Sequence, residues 1–257
     1  MRRVERRFRC TACGKCCCGS LPLTLGDALR HAHRFPLAFV WTAVPQSARV
    51  YSLVARLGTP IRLPQRGKVA VLIAPTAYLP PSFPCPELAG DGSCGIHAIK
   101  PARCRTMPFY PYREERDQDD LLEPREGWEC DTSAAAPVVY RDHAIVERDD
   151  FDRERAALLA EAPTMRTYTA YVVKYMPWVI EYLDAAVRDR NGRVVTSLSS
   201  FLTATRNSDK ARIAQQQVPV LTALRESTAG SPDLSTYHRE YCGWLTEMQY
   251  LAGSIPT

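Results

Sequence analysis

The stretch that decides the fold of the N-terminal half is Cys10-Thr11-Ala12-Cys13-Gly14-Lys15-Cys16-Cys17-Cys18. Two-residue spacing lets successive thiolates converge on one centre, because the intervening backbone amides can point at the sulfurs and Gly14 permits the tight turn. The alternative, that the cysteines are small buried hydrophobic residues, suits Cys242 and could also apply to Cys18. The spacing therefore predicts a metal centre.

Farther along the chain, residues 84–111 are dense in proline, glycine and cysteine. Neither helical nor strand periodicity can persist there, so cross-links must give this stretch its shape. Its blocks are Pro84-Cys85-Pro86-Glu87-Leu88, Asp91-Gly92-Ser93-Cys94-Gly95-Ile96-His97 and Lys100-Pro101-Ala102-Arg103-Cys104-Arg105-Thr106-Met107-Pro108, followed later by Trp128-Glu129-Cys130. We predict eight metal ligands: Cys10, Cys13, Cys16, Cys17, Cys85, Cys94, Cys104 and Cys130. No catalytic residue stands out.

These blocks resemble the YkgJ-type cysteine-cluster family of zinc- or iron-chelating domains. The family pattern is a CxxCxxCC block after an aromatic residue, here Phe8, then PC-x-x-L, G-x-C-x-I-[YH] and RP-x-x-C-R-x-[FY]-P. The resemblance covers roughly residues 8 to 110. Lys100 stands where the family usually has arginine, and Met107 replaces the usual aromatic residue. Neither departure touches a cysteine.

The family includes the flagellin lysine N-methylases, which the resemblance implies are iron–sulfur proteins that methylate lysine side chains. The alternative function implied here is an S-adenosylmethionine-dependent protein lysine N-methyltransferase, with a protein as substrate. No glycine-rich loop after a strand marks a conventional S-adenosylmethionine pocket. A radical Cys-x-x-x-Cys-x-x-Cys motif would need a cysteine at position 20, where the chain has Ser20.

The identity of the metal stays open between an iron–sulfur cluster, most simply [4Fe-4S], zinc and a multinuclear arrangement. Cys10-x-x-Cys13-x-x-Cys16 matches the first three ligands of a bacterial ferredoxin run. Cys85-Pro86 could supply the fourth, closing a loop of about seventy residues and coupling metal binding to folding of the N-terminal half. Eight cysteines exceed the four that one zinc ion or cluster takes, so some must belong to a second centre or serve structure. His97 and His143 are candidate nitrogen ligands.

Composition favours a conventional globular protein of the cytoplasm. The chain has 257 residues with 46% hydrophobic residues, 20 prolines and 10 cysteines. It lacks an apolar run of the ~20 residues that cross a bilayer and an apolar signal segment behind Met1. In a reducing compartment cysteines are better interpreted as metal ligands than as disulfides. A net charge of +5, without a clustered basic stripe, makes nucleic acid an unfavoured partner.

We predict an α+β fold in two regions: a metal-stapled, irregular cysteine-rich region over 1–147 with a few short strands, and a helical region over 148–257 packed against it. In the first, Thr24 and Asp27 have capping-box spacing and open a short helix that runs to about Arg34. Residues 68–78 predict a strand paired with residues 61–63, in a small sheet. The charged segment 113–129 predicts a solvated loop.

In the second region the apolar residues follow a helical period. The predicted helices cover residues 151–162, then a Pro177-kinked segment from Tyr168 ending at Asn191-Gly192, residues 208–224 with a kink at Pro219, and residues 234–251. The aromatic stripe of the second helix favours core packing over a ligand groove. Three functions remain open: metal binding for structure or metal handling, a methyltransferase, and a redox or metal-sensing module.

Overall fold

The computed structural model describes residues 5–187 and 192–253, and these form an α+β fold. The described strands are β1 (Glu5–Arg7), β2 (Leu21–Pro22), β3 (Leu37–Pro45), β4 (Thr59–Leu63), β5 (Gly67–Ala77), β6 (Val138–Arg141), β7 (Ala144–Ile145) and β8 (Val194–Ser197). The described helices are α1 (Leu25–Arg30), α2 (Tyr51–Leu57), α3 (Ala102–Thr106), α4 (Asp149–Tyr175), α5 (Pro177–Ala186), α6 (Leu198–Ala204), α7 (Lys210–Thr228) and α8 (Ser235–Leu251). None of the helices in the described ranges is long and apolar enough to cross a membrane.

The larger sheet is antiparallel and five-stranded, in the order β2-β5-β3-β8, with β4 also paired to β5. Strands β3 and β5 pair from Leu37 opposite Ala77 to Pro45 opposite Val69. The pairing of β4 with β5 confirms the predicted strand pair. The sheet is larger than predicted, because β3, which begins after Pro36 and ends at Pro45, and β8 were not predicted as strands.

The core joins residues from both predicted regions. Trp41 of β3 donates a hydrogen bond from Nε1 to Thr196 Oγ1 of β8 at 2.8 Å, and the Tyr168 hydroxyl of α4 bonds the same oxygen at 2.7 Å. Phe39 stacks on Phe201 with ring centroids 4.4 Å apart. Because β8 pairs with β3 and these side chains are buried, the sheet and the helices share one hydrophobic cluster.

The helix boundaries agree with the prediction in part. Thr24 caps α1, as predicted, by accepting a hydrogen bond from Asp27 N at 3.0 Å, but the helix ends at Arg30. Helix α4 confirms a helix over residues 151–162 but continues through Pro163 to Tyr175, so the predicted division between this helix and the next was wrong. Helices α7 and α8 confirm the last two predictions within a few residues. The second helix ends, as α5, at Ala186; the predicted end at residue 191 lies outside the described residues.

The charged segment 113–129 is held in place, which corrects the prediction of a solvated loop. The Gln118 side chain is fully buried, accepts a hydrogen bond from Tyr110 N at 2.8 Å and donates one to Tyr110 O at 2.9 Å. Arg6 of β1 donates to Asp119 at 2.7 Å. Strand β1 pairs with β6, and β6 with β7, in a second, three-stranded sheet beside this segment.

Candidate metal centre

The first cysteine cluster lies in the loop between β1 and β2, which turns through the left-handed backbone region. Ala12 has φ 55° and Gly14 has φ 71°. Cys17 N donates to the Gly14 carbonyl at 2.9 Å. A Cβ atom on Gly14 would lie 3.1 Å from the Gly92 carbonyl oxygen, so glycine is needed here both for φ and for the close approach of the 84–104 loop.

Backbone amides point at two of the sulfurs, as the spacing predicts. Ala12 N donates to Cys10 Sγ at 3.4 Å. Hydrogen bonds from the backbones of Lys15 and Glu129 lower the pKa of Cys13. Amides that donate to sulfur favour the thiolate, which is the form that binds metal.

Cys130 is held opposite Cys10 by the residues on either side of each. The bonds are Arg9 N to Asp131 O at 2.8 Å, Asp131 N to Arg9 O at 3.0 Å and Thr11 Oγ1 to Glu129 O at 3.0 Å. Burial raises the pKa of Cys130, and the charges of Cys13, Cys10 and Cys16 raise it further. Cys130 is therefore held beside Cys10, the first cysteine of the run, whereas the sequence offered Cys85 as a candidate for the fourth ligand.

Cys85 lies beside the other end of the cluster. Cys85 N donates to Cys17 O at 2.8 Å, and Cys18 forms an antiparallel bridge with Pro84. Gly19 N donates to the Phe83 carbonyl at 2.9 Å. These bonds join the loop before β2 to the loop after β5.

Cys94 returns to Cys85 through a tight reversal of the chain. Leu88 N donates to Cys85 O at 3.0 Å, and Leu88 forms a bridge with Cys94. Gly95 N donates to the Glu87 carbonyl at 2.8 Å. Eight residues separate Cys85 from Cys94 and nine separate Cys94 from Cys104, whereas a zinc ribbon has two-residue spacings. Local turns span these longer spacings.

Cys104 lies on the short helix α3. Asp27 Oδ2 of α1 accepts a hydrogen bond from Ala102 N at 2.8 Å and so fixes the start of this helix. Burial raises the pKa of Cys104 to about 12, and the charges of Cys85 and Cys94 raise it as well. Cys104 therefore lies within range of the charges of the two cysteines of the 85–94 turn.

Cys16 and Cys17 are the point where the two groups of cysteines meet. A hydrogen bond from Cys17 lowers the pKa of Cys16 to about 6. The same hydrogen bond is the largest cause that raises the pKa of Cys17. Burial and the charges of Cys16, Cys85 and Cys104 raise that pKa further. The Lys100 ammonium favours the thiolate of Cys16 and opposes the rise at Cys104.

Two ion pairs that sequence reasoning missed support these loops. Arg34 donates to Glu87 at 2.8 Å. Arg103, beside Cys104, is paired with Glu154 of α4 at 3.6 Å, and both side chains are buried. Partners 51 or more residues apart leave no local spacing signal.

The remaining histidine and cysteine candidates are His97, His143, Cys18 and Cys242. His97 and His143 are exposed, and Cys18 is an exposed thiol bonded to Lys15 O. Cys242 lies on α8, where its Sγ is 3.5 Å from His238 Nε2. All ten cysteines are free, and among the described residues no three His, Cys, Asp or Glu side chains already lie close enough together to hold a metal ion.

The aromatic stripe divides between core and surface. Tyr168 is buried, whereas Tyr175 and Tyr182 are 59% and 64% exposed. Two surface depressions of about 440 and 310 Å³ are lined mainly by charged residues near Arg113 and Arg6, and none of these tyrosines lines either.

Comparison with known proteins identified no relative. No family model matches the chain, and neither a curated protein nor a solved structure matches it. The resemblance to the YkgJ-type family stays a prediction from the motifs.

Proposed function

We propose that the protein binds a metal centre, a [4Fe-4S] cluster or zinc, through its clustered cysteines. One observation carries the proposal: backbone hydrogen bonds hold three distant segments, around residues 10–18, 85–104 and 130, side by side. The eight cysteines on these segments are free thiols, and the loops that carry them have little regular structure. In a reducing compartment, where disulfides rarely persist, a bound metal is the best explanation for thiols clustered in this way.

The chemistry of the donor set fits these metals. Zinc and iron–sulfur clusters take four thiolates, whereas Mg²⁺ and Ca²⁺ select oxygen ligands. The amides aimed at Cys10 and Cys13 would stabilise thiolates of either centre. The ferredoxin-like spacing of Cys10, Cys13 and Cys16 favours iron–sulfur over zinc.

Anaerobic purification tests the proposal. We expect brown protein with a broad absorption band near roughly 400 nm and stoichiometric iron and sulfide, or colourless protein with stoichiometric zinc. Cys13→Ser should lose metal, and Cys242→Ser, the matched control on α8, should keep it. Wild-type protein that contains no metal, and whose thiols all react with an alkylating reagent, would overturn the proposal.

The methyltransferase remains a second proposal, supported by the motif resemblance. Calorimetric titration of metal-loaded protein with S-adenosylmethionine tests it. Heat with one-to-one stoichiometry would support an enzyme that acts on a protein. No heat of binding at millimolar S-adenosylmethionine would contradict the methyltransferase proposal and would leave the metal-binding proposal standing.

A further inference from the structure

We infer that the eight cysteines form two separate four-thiolate metal sites. Site one consists of Cys10, Cys13, Cys16 and Cys130. Site two consists of Cys17, Cys85, Cys94 and Cys104. This inference rests on the proposed function and adds to it the number of centres and the ligands of each.

Site one is defined by the pairing of the chain on both sides of two cysteines. Arg9 and Asp131 exchange two backbone hydrogen bonds, and Thr11 bonds to Glu129. Cys10 and Cys130 lie between these pairs and are held opposite each other. Cys13 joins them because the Glu129 backbone bonds to its sulfur.

Site two is defined by a different set of contacts. Cys17 O accepts the amide of Cys85, and the bridge between Leu88 and Cys94 returns the chain to the start of the same turn. Cys104 comes from α3, which follows the Cys94 turn closely in the chain. His97 N donates to Cys94 O at 3.1 Å, and a short 3-10 helix at His97–Ile99 leads to the start of α3 at Ala102.

The boundary between the sites falls within the Cys16–Cys17 pair. On the N-terminal side of this pair, the chain around Cys10 pairs with the chain around Cys130 through the bonds between Arg9 and Asp131. On its C-terminal side, Cys17 O accepts the amide of Cys85 and Cys18 forms a bridge with Pro84. Cys16 keeps the two-residue spacing that begins at Cys10, whereas Cys17 is bonded to the 84–94 turn.

Each set supplies the four ligands that one tetrahedral zinc ion or one [4Fe-4S] cluster takes. A single centre would leave four of the eight thiols unused. Backbone bonds place the segments of each set side by side, and a bound metal would join their thiolates and hold the loops closed. Lys100, whose charge acts on Cys16 of one set and Cys104 of the other, partly balances the thiolates of both sites.

The test counts centres and identifies their ligands. Reduced apo-protein is loaded with zinc alone and then treated with iodoacetamide, and protected cysteines are mapped by peptide mass spectrometry. We expect two zinc ions per chain and eight protected cysteines. Cys130→Ser should keep one zinc and protect Cys17, Cys85, Cys94 and Cys104. Cys94→Ser should keep one zinc and protect Cys10, Cys13, Cys16 and Cys130. Cys18→Ser, the matched control, should keep both ions.

One zinc ion per chain, lost entirely in both variants, would overturn the two-site arrangement and leave the proposed function standing. Wild-type protein that binds no zinc and purifies without iron would overturn both. If the variants do not fold, graded removal of zinc from the wild-type protein with a chelator decides the question. Release of the thiols in two groups of four supports two sites, and release of all eight together overturns them.

Discussion

Arg103 and Glu154 form an ion pair in the interior, between α3 and α4. Both side chains are 2% exposed, and Arg103 Nη1 lies 3.6 Å from Glu154 Oε2. Arg103 also donates to the Phe109 carbonyl, and its guanidinium lies 5.3 Å from the centre of the Tyr110 ring. Burial raises the pKa of Glu154, and the Arg103 charge opposes that rise. Because Cys104 follows Arg103, the pair fixes the helix that carries a proposed ligand.

Removal of one member of this pair should cost more than removal of both. Glu154→Gln leaves the Arg103 charge buried without a counter-ion, and we expect the free energy of unfolding to fall by about 3–5 kcal/mol. Arg103→Met combined with Glu154→Leu leaves no buried charge and should destabilise the protein less. Urea unfolding of the metal-free proteins measures both. A double variant less stable than Glu154→Gln would contradict this account.

Cys16 should be an unusually reactive thiol in the metal-free protein. It is exposed, and the hydrogen bond from Cys17 lowers its pKa to about 6, so it is mostly thiolate at pH 7 and protonated below pH 6. We expect its alkylation rate to rise with pH through a midpoint near 6. Cys17→Ser weakens the hydrogen bond and should slow alkylation of Cys16 at pH 7 by up to roughly tenfold. Equal rates at Cys16 in the two proteins would show that Cys17 does not activate it.

At the scale of elements, helix α4 tolerates a proline in its interior. Proline lacks the amide for the hydrogen bond one turn back and clashes with that carbonyl, which costs an interior position about 3 kcal/mol. The helix continues because Met165, Tyr168 and Val172 bury its next turns in the core. Pro177 lies at the first turn of α5, where no amide is needed, and so marks a helix start rather than a kink.

Pro163→Ala should therefore stabilise the protein, and Pro177→Ala should not. We expect the free energy of unfolding to rise by about 1–3 kcal/mol for the first variant and to change by less than about 1 kcal/mol for the second. Thermal and urea unfolding of the two variants measure the difference. A Pro163→Ala variant no more stable than wild type would mean that the surrounding contacts require the proline.

The elements that sequence reasoning identified are those with local signals. The Thr24 cap and the β4–β5 pair depend on residues within a few positions of one another. Strands β3 and β8 were not predicted. The four-residue β8 pairs with β3 from Ala38 opposite Ser197 to Trp41 opposite Val194, so the partners lie at least 153 residues apart in the chain. A pairing across that many residues depends on the assembled core and not on the neighbouring sequence.

At the scale of the whole molecule, the same distinction separates what could be predicted of the site from what could not. The eight cysteines were predicted as a group because their spacings are local. Which cysteines lie side by side was not predicted. Cys130 lies beside Cys10 because Arg9 is paired with Asp131 and β1 is paired with β6, and these contacts join distant parts of the chain. The ferredoxin spacing offered Cys85 as a candidate for the fourth ligand, and the long-range pairing holds Cys130 beside Cys10.

The large apolar core and the cysteine loops are largely separate, and this changes what metal removal should do. The core of the five-stranded sheet buries Phe39, Trp41 and Val71 against the helices, and Cys85 and Cys94 only pack at its margin. The sequence suggested that metal binding is coupled to folding of the whole N-terminal half. With this core in place, we expect loss of metal to open the loops and leave the sheet folded.

Hydrogen exchange of metal-loaded and chelator-treated protein tests that expectation. Local opening exposes only the amides of the affected segment. We expect faster exchange after chelation in residues 8–20, 84–104 and 128–131, and unchanged protection of the paired amides of β3 and β5. Cys242→Ser should give the same two patterns as the wild type. Loss of protection in β3 and β5 together with the loops would mean that the metal centres hold the sheet as well, because the apolar core alone would then be too weak to keep it folded.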